Sequence, residues 1–382
     1  MKNTLILILF LIFTFSCNNK NENNKPFNSL ESNIYCINVN SFPENNSLYL
    51  QAYSSGTCKS FSAEIEGENI FFGYNKKLHS IDIINLSNKR PLKQILLSKD
   101  GPNSVGLLVV GIAYYGGSIL VDDSYYYYKI DFEGKILSKI SKNDLLGSLI
   151  KDYTFNKVMP IMWMGYRFLL IDPVKGEFAV TLYPLNNSDN SLPLYVAVIS
   201  VDSWKVTSLI KVPFPDFIKR EGDMYELNVL NAILVNNKMV YNYPASSKIF
   251  VYDRITKDLN VIDFEPKLSK SFNKPIDKFG VDKSRASMFL GYYYPLYYDI
   301  YRDVYWRLNV GEINERGKYL DRSYVLSRIS GNFLEYKEIE LPTDLLDSEV
   351  IIMKDRVLFG FNEWCNKLTP DSIMFYSINP IK

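Results

Sequence analysis

The chain is 382 residues long and nearly neutral, with 43 basic and 42 acidic residues, 29 Tyr, 23 Phe, four Cys and one His. A balanced, evenly mixed charge argues against nucleic acid or an anionic membrane surface as the main partner, and with one histidine no cysteine pair has the spacing of a zinc site. Aromatic residues in these numbers suit pleated, half-buried surfaces, so composition points to an all-β protein.

At the N-terminus Lys2 precedes an apolar run from Leu5 to Phe15 broken only by Thr14, and Ser16 is the small residue a signal peptidase accepts. Residues 1–16 therefore read as a secretory signal peptide, too short for the roughly 20 apolar residues of a membrane span. The stretch Phe-Thr-Phe-Ser-Cys ending at Cys17, followed by NNKNENN, resembles the lipobox of bacterial lipoproteins. That resemblance implies that Cys17 becomes the new N-terminus and carries acyl chains such as palmitate. Each buried CH2 contributes about 0.8 kcal/mol, so such chains hold a soluble domain on a membrane without a span. Residues 17–30 read as a flexible tether with almost nothing able to enter a core. Loss of the signal removes Lys2 and no acid, leaving zero net charge. The expected address is the cell envelope, lipid-anchored at the outer membrane, with the periplasmic or surface side left open. With Cys17 acylated, Cys36, Cys58 and Cys365 remain, so at most one disulfide can form.

Along the rest of the chain one pattern returns: an apolar strand, a polar break, a second strand ending near Asp, a turn and a last strand. Copies begin at Asn69, Ser118, Glu177, Lys238, Asp303 and Arg356, and the turns IINLSNKRP, IDFEGKI, SVDSWKV, YDRITKD and RISGNFLEY occupy the same place in each. Alternating apolar residues with regularly spaced turns are a strand signal. Six such units predict a six-bladed β-propeller over residues 31–382, with seven blades as the alternative. The sixth copy stops one strand early. NIYCINVN, Asn33 to Asn40, is an unassigned strand able to complete it and so remove the free sheet edges. Cys36 and Cys365 would then share a blade; three free thiols is the preferred reading, and a disulfide between those two the alternative. Asn143 caps a predicted short helix through Leu145, Leu146, Leu149 and Ile150, and the segment from Ser269 to Leu290 reads as an inter-blade insertion.

KDGPNSVG, Lys99 to Gly106, is similar to the Gly-Pro loop after the first blade in six-bladed propeller lipoproteins of gut Bacteroides-type bacteria, although it lacks the acidic residues often found around that loop. YYYPLYYDIYRDVYWRLNVG, Tyr292 to Gly311, resembles the most recognisable stretch of one uncharacterised lipoprotein family of that group. The resemblance implies a fold and a location, and no chemistry.

Candidate chemistry is sparse. Asp299, Arg302, Asp303 and Arg307 form the most charged patch beside an aromatic segment, and an arginine there could grip a carboxylate or sulfate in bidentate fashion; the structural reading is a turn with Asp and Arg paired across it and both ends solvated. Asp122 and Asp123 are adjacent on a strand and so point to opposite faces, which rules out an acid–base pair between them. Tyr125 to Tyr128, Tyr292 to Tyr298 and Trp306 could stack on sugar rings, packing being the alternative role. There is no GxSxG, phosphate loop or dinucleotide fingerprint, no cofactor is implied, and His79 in LHSIDI reads as a hydrogen-bonded strand residue. The expected function is a membrane-anchored module binding a ligand, glycan or protein. A His-independent glycan hydrolase or lyase is the alternative, and a structural subunit of an outer-membrane assembly the second.

Overall fold

The structure, a computed structural model, describes residues 32–38, 60–75, 78–123, 125–146, 149, 151, 153–154, 171–184, 193–212, 230–244, 246–264, 266–267, 291–311, 323–341, 350–360 and 372–379. The chain enters as β1 (Ser32–Asn38) and then builds blades in order. Blade 1 is β2 (Ser60–Ile65), β3 (Glu68–Asn75), β4 (Ser80–Asn85) and β5 (Arg90–Leu96). Blade 2 is β6 (Val109–Tyr115), β7 (Ser118–Asp123), β8 (Tyr126–Ile130) and β9 (Ile136–Ser141), followed by the helix α1 (Lys142–Leu146). In blade 3 the short strands β10 (Tyr153–Thr154) and β11 (Ile171–Asp172) pair with opposite ends of β12 (Glu177–Pro184), beside β13 (Leu194–Ser200) and β14 (Lys205–Val212). Blade 4 is β15 (Asn231–Val235), β16 (Lys238–Asn242), β17 (Ile249–Asp253) and β18 (Leu259–Ile262), and blade 5 is β19 (Tyr292–Asp299), β20 (Val304–Val310), β21 (Tyr324–Ser330) and β22 (Tyr336–Leu341). Blade 6 is β23 (Val350–Ile352), β24 (Val357–Gly360) and β25 (Ser372–Ile378), completed by β1. All six sheets are antiparallel, and together they form a six-bladed β-propeller.

The ring closes as the truncated last repeat predicts. β1 runs antiparallel to β25 over seven residue pairs, from Ser32 opposite Ile378 to Asn38 opposite Ser372. Each repeat legible in the sequence is the outer three strands of a blade. The inner strands β2, β6, β15 and β23 escaped the pattern because they are short runs, which periodicity alone cannot assign. They line the axis: β2 lies beside β6 and β23, and β15 beside β12 and β19.

Packing is between blades. One apolar cluster joins β3, β4, β7 and β8 of blades 1 and 2, others join blades 2 and 3, 3 and 4, and 4 and 5, and the aromatic cluster around Tyr292, Tyr294, Trp306 and Phe359 joins blades 5 and 6. Phe71 against Phe375, with ring centroids 6.1 Å apart, closes blade 6 onto blade 1. The outermost strands alternate exposed and half-buried residues, and β5 carries Arg90, Pro91 and Lys93 along its edge, side chains that discourage further strand pairing.

The five recurring turns all join the third and fourth strands of their blades. Each holds one residue in the left-handed region, Lys89, Gly134, Trp204, Lys257 or Phe333, and each opens on an Asn, Asp or Ser side chain that accepts a turn N–H: Asn85, Asp131, Ser200, Asp253 and Ser330. That is the chemistry of hairpin loops longer than two residues. Links between first and second strands are shorter still in blades 1, 2 and 4: Glu66-Gly67, Gly116-Gly117 and Asn236-Asn237. Both kinds of turn lie at one end of the blades, the short-turn face. The inter-blade connections and the links between second and third strands lie at the other, the long-loop face. A short helix is present where predicted, but α1 begins at Lys142 and ends at Leu146, with Asn143 inside it and the Ser141 hydroxyl, not Asn143, accepting from Asp144 N ahead of it. The insertion Ser269 to Leu290 and Cys17, Cys58 and Cys365 lie outside the described residues.

Candidate functional site

On the long-loop face a buried polar network fixes the connection between blades 1 and 2. β3 ends near Tyr74, β4 follows His79, and the loop from Leu97 to Leu108 crosses above both. His79 is buried in the left-handed region of the turn ahead of β4, at φ 55°, a turn residue rather than the strand residue expected. Its Nε2 lies 3.0 Å from the Val105 carbonyl, which can only accept, so Nε2 carries the proton and Nδ1, 2.8 Å from the Tyr74 hydroxyl, accepts from it. Burial, with the Lys99 charge adding to it, pushes the imidazole below its ordinary value, and burial pushes Tyr74 up to about 12. The ring is neutral and structural.

Asp123, the last residue of β7, ties this loop to blade 2. Its carboxylate accepts from Gly106 N (3.1 Å), Tyr125 N (2.7 Å), Tyr126 N (2.6 Å) and the Tyr128 hydroxyl (2.7 Å). Asp122 points the other way, to Lys142 Nζ at 2.5 Å, and that lysine also donates to the Asp123 carbonyl and stands over the Tyr127 ring. The two carboxylates therefore serve opposite faces of blade 2, as strand alternation requires. Gly106 and Tyr125 share one carboxylate, and Tyr125 and the next residues of the loop, Leu107 and Leu108, are each more than half exposed on this face.

The other predicted site residues are mostly interior. Asp299 is fully buried and accepts from Arg302 Nη1 (2.6 Å), Trp306 Nε1 (3.0 Å) and Tyr301 N (3.1 Å). Arg302 also donates to the Met353 and Lys354 carbonyls, latching blade 5 to blade 6. The expected Asp–Arg pairing across the turn is present, with one end buried rather than both solvated. Asp303 faces solvent on the short-turn side and accepts from the Tyr298 hydroxyl at 3.0 Å. Arg307 is separate from the other three. It is buried between blades 4 and 5, its guanidinium 4.7 Å from the Phe264 ring centre and 4.5 Å from that of Tyr293, and it donates to the Ser247 and Phe264 carbonyls. Burial lowers its pKa to about 10. Trp306 and Tyr292, Tyr293, Tyr294 and Tyr297 are core, so of the residues put forward for stacking Tyr125 is the one that presents its ring to solvent at this face.

The DUF4221 family, described as a domain of unknown function, matches residues 26–333. The chain belongs to this family. A crystal structure of a DUF4221 member from Bacteroides vulgatus shares 14% identity with it over 92% of this chain and 97% of that one, with a TM-score of 0.64. A protein of Bacteroides fragilis named for its expected export gives 8% identity, 92% and 96% coverage and a TM-score of 0.48. Among curated proteins, none matches this DUF4221 chain in sequence.

At the short-turn end of the axis this DUF4221 protein gathers acids and tyrosines from several blades. Tyr301 of blade 5 donates to Glu64 of blade 1 and is pushed up to about 12, by burial first and by that carboxylate. Tyr298 is likewise raised to about 12 by burial, then by Asp303, with Asp299 and Asp172 of blade 3 adding to it. Asp172 is buried; Oδ1 accepts from Val174 N and Lys175 N, while Oδ2 has no hydrogen-bond partner among the described residues. A tyrosine base at neutral pH needs its pKa lowered, and both of these are raised. Among the described residues no group of three His, Cys, Asp or Glu is placed to hold a metal ion, and no helix is long and apolar enough to cross a membrane. The loop leucines gave no sequence signal, because nothing distinguishes Leu107 and Leu108 from strand residues until Asp123 and His79 are seen to hold them outward.

Proposed function

We propose that this DUF4221 protein is an exported lipoprotein, anchored through Cys17 to the envelope, whose propeller docks a protein partner on the long-loop face. The observation that carries this reading is the apolar rim of Leu107, Leu108 and Tyr125, held out on a backbone pinned by buried hydrogen bonds. Apolar side chains ordered before binding reduce the entropy lost on association, and two leucines beside one tyrosine suit an apolar polypeptide segment better than a sugar, which asks for flat rings ringed by polar groups. The raised Tyr298 and Tyr301 do not favour a tyrosine base at the axis, so the enzyme alternative would rest on the acids gathered there.

The test is photo-crosslinking in the native host from a benzophenone amino acid at position 125, followed by titration of the purified captured protein. The expected result is one defined protein adduct, with affinity falling by tenfold or more in Leu107→Ser/Leu108→Ser, the loss of about 1.4 kcal/mol or more. Binding that is unchanged in the double variant, or a saturable glycan ligand in place of a protein, would overturn it.

A further inference from the structure

We propose that the short-turn face of blades 3 to 5 rests on the lipid surface of the envelope membrane, so that the long-loop face is turned away from it. The inference builds on the Cys17 anchor and adds an orientation to it. Three observations carry it.

The first is where the chain leaves the propeller. β1 is antiparallel to β25, which ends at Ile378 on the short-turn side, so Ser32 begins β1 at that same end. Fifteen residue steps separate Ser32 from Cys17. Fully extended, such a segment spans at most about 50 Å. A blade of five- to eight-residue strands is itself roughly 17–27 Å tall. Presenting the long-loop face to the bilayer would require the segment to run back along the full height of the blade, whereas the short-turn face is already at its origin.

The second is what this face exposes. Val174, Ile255, Ile300 and Leu334 each sit in a turn of blades 3, 4 or 5, and each is more than half exposed. Turn positions ordinarily take Gly, Asn, Asp or Ser. Four aliphatic side chains at the corresponding ends of three adjacent blades cover no core of their own, but they can enter an interfacial layer.

The third is charge. Exposed Lys175, Lys238 and Lys257 stand beside those turns together with exposed Asp202, Asp258, Asp303 and Glu335, and the same end of blades 1 and 2 is mixed as well, Glu64, Glu66, Glu68 and Glu133 standing with Lys89, Arg90 and Lys135. With neither sign in excess the face is not repelled by headgroups of either charge, and the four aliphatic turns set the contact.

Hydrogen exchange on the full acylated protein in vesicles of phosphatidylethanolamine and phosphatidylglycerol, with full-length Cys17→Ala as the unanchored control, tests this. Amides of the turns holding Val174, Ile255, Ile300 and Leu334 are expected to exchange about tenfold more slowly in the vesicle-bound protein, the change that about 1.4 kcal/mol of protection gives. Leu107, Leu108 and Tyr125 are expected to be unaffected. A variant with all four aliphatics changed to Ser should stay anchored and lose the protection. Anchored wild type protected at the long-loop rim, or at neither face, overturns the orientation and leaves the lipid anchor standing. Wild type that associates no better than Cys17→Ala overturns the anchor and the orientation with it.

Discussion

Replacing Asp123 with Asn changes almost no volume and isolates what its charge does. In the native protein four donors converge on this carboxylate, two on each oxygen, and the residue is buried. The Asn oxygen can keep Tyr125 N and Tyr126 N, but the amide nitrogen then faces Gly106 N–H and the Tyr128 hydroxyl. The hydroxyl can turn and accept; the backbone N–H cannot. One stranded buried N–H costs about 1–3 kcal/mol, and the surviving contacts fall from charge-assisted values of about 1.5–3 kcal/mol towards about 1 kcal/mol each. The sum is a destabilisation of about 3 kcal/mol. Tyr128→Phe, which removes one donor and leaves the carboxylate three, should cost about 1 kcal/mol. Urea unfolding at neutral pH, read as a midpoint shift at constant slope, measures both. Exchange at Leu107 and Leu108 should accelerate in the Asn variant, since Gly106 has lost its hold. An Asp123→Asn protein within about 0.5 kcal/mol of wild type, or no worse than Tyr128→Phe, refutes the role assigned to this carboxylate.

Three other outcomes are expected. Because burial holds His79 below its unfolded value near 6.5, the unfolded chain binds more protons below that pH; stability should fall as pH drops from about 6.5, by at most about 1.4 kcal/mol per unit, and His79→Gln should flatten that slope in urea titrations at several pH values. Lys142→Met removes the lysine partner of Asp122 and should cost about 3–5 kcal/mol, while Asp122→Leu/Lys142→Met should recover most of it, a coupling that a double-mutant cycle reads. Gly176 has φ 61°, and a Cβ there would lie 2.3 Å from the Tyr115 ring, so Gly176→Ala should lower stability by about 2–4 kcal/mol by calorimetry or urea.

The architecture was legible where the chain repeats local chemistry. Five hairpins with a polar opener and a left-handed residue mark the same corner of five blades, and the absent last strand of the sixth repeat pointed to β1. The inner strands were not, since the burial of β6 and β15 depends on neighbours distant in sequence. The charged patch was misleading for a similar reason. Asp299 and Arg302 are adjacent in a turn and do pair, whereas Arg307 is three strand positions into β20 and its surroundings are Ser247, Phe264 and Tyr293. Sequence proximity grouped residues that the blade height separates. Tyr125 was legible only as one of four tyrosines, and strand alternation could not say which would clear the rim.

The pairing of β1 with β25 also sets how the protein bears load. Traction applied ahead of Ser32 is directed along the axis of β1, parallel to its length and perpendicular to its seven residue pairs with β25. Those backbone bonds are loaded together in shear rather than opened one after another from a free end. A propeller closed at its first strand is thereby loaded across all seven pairs of its closing seam at once.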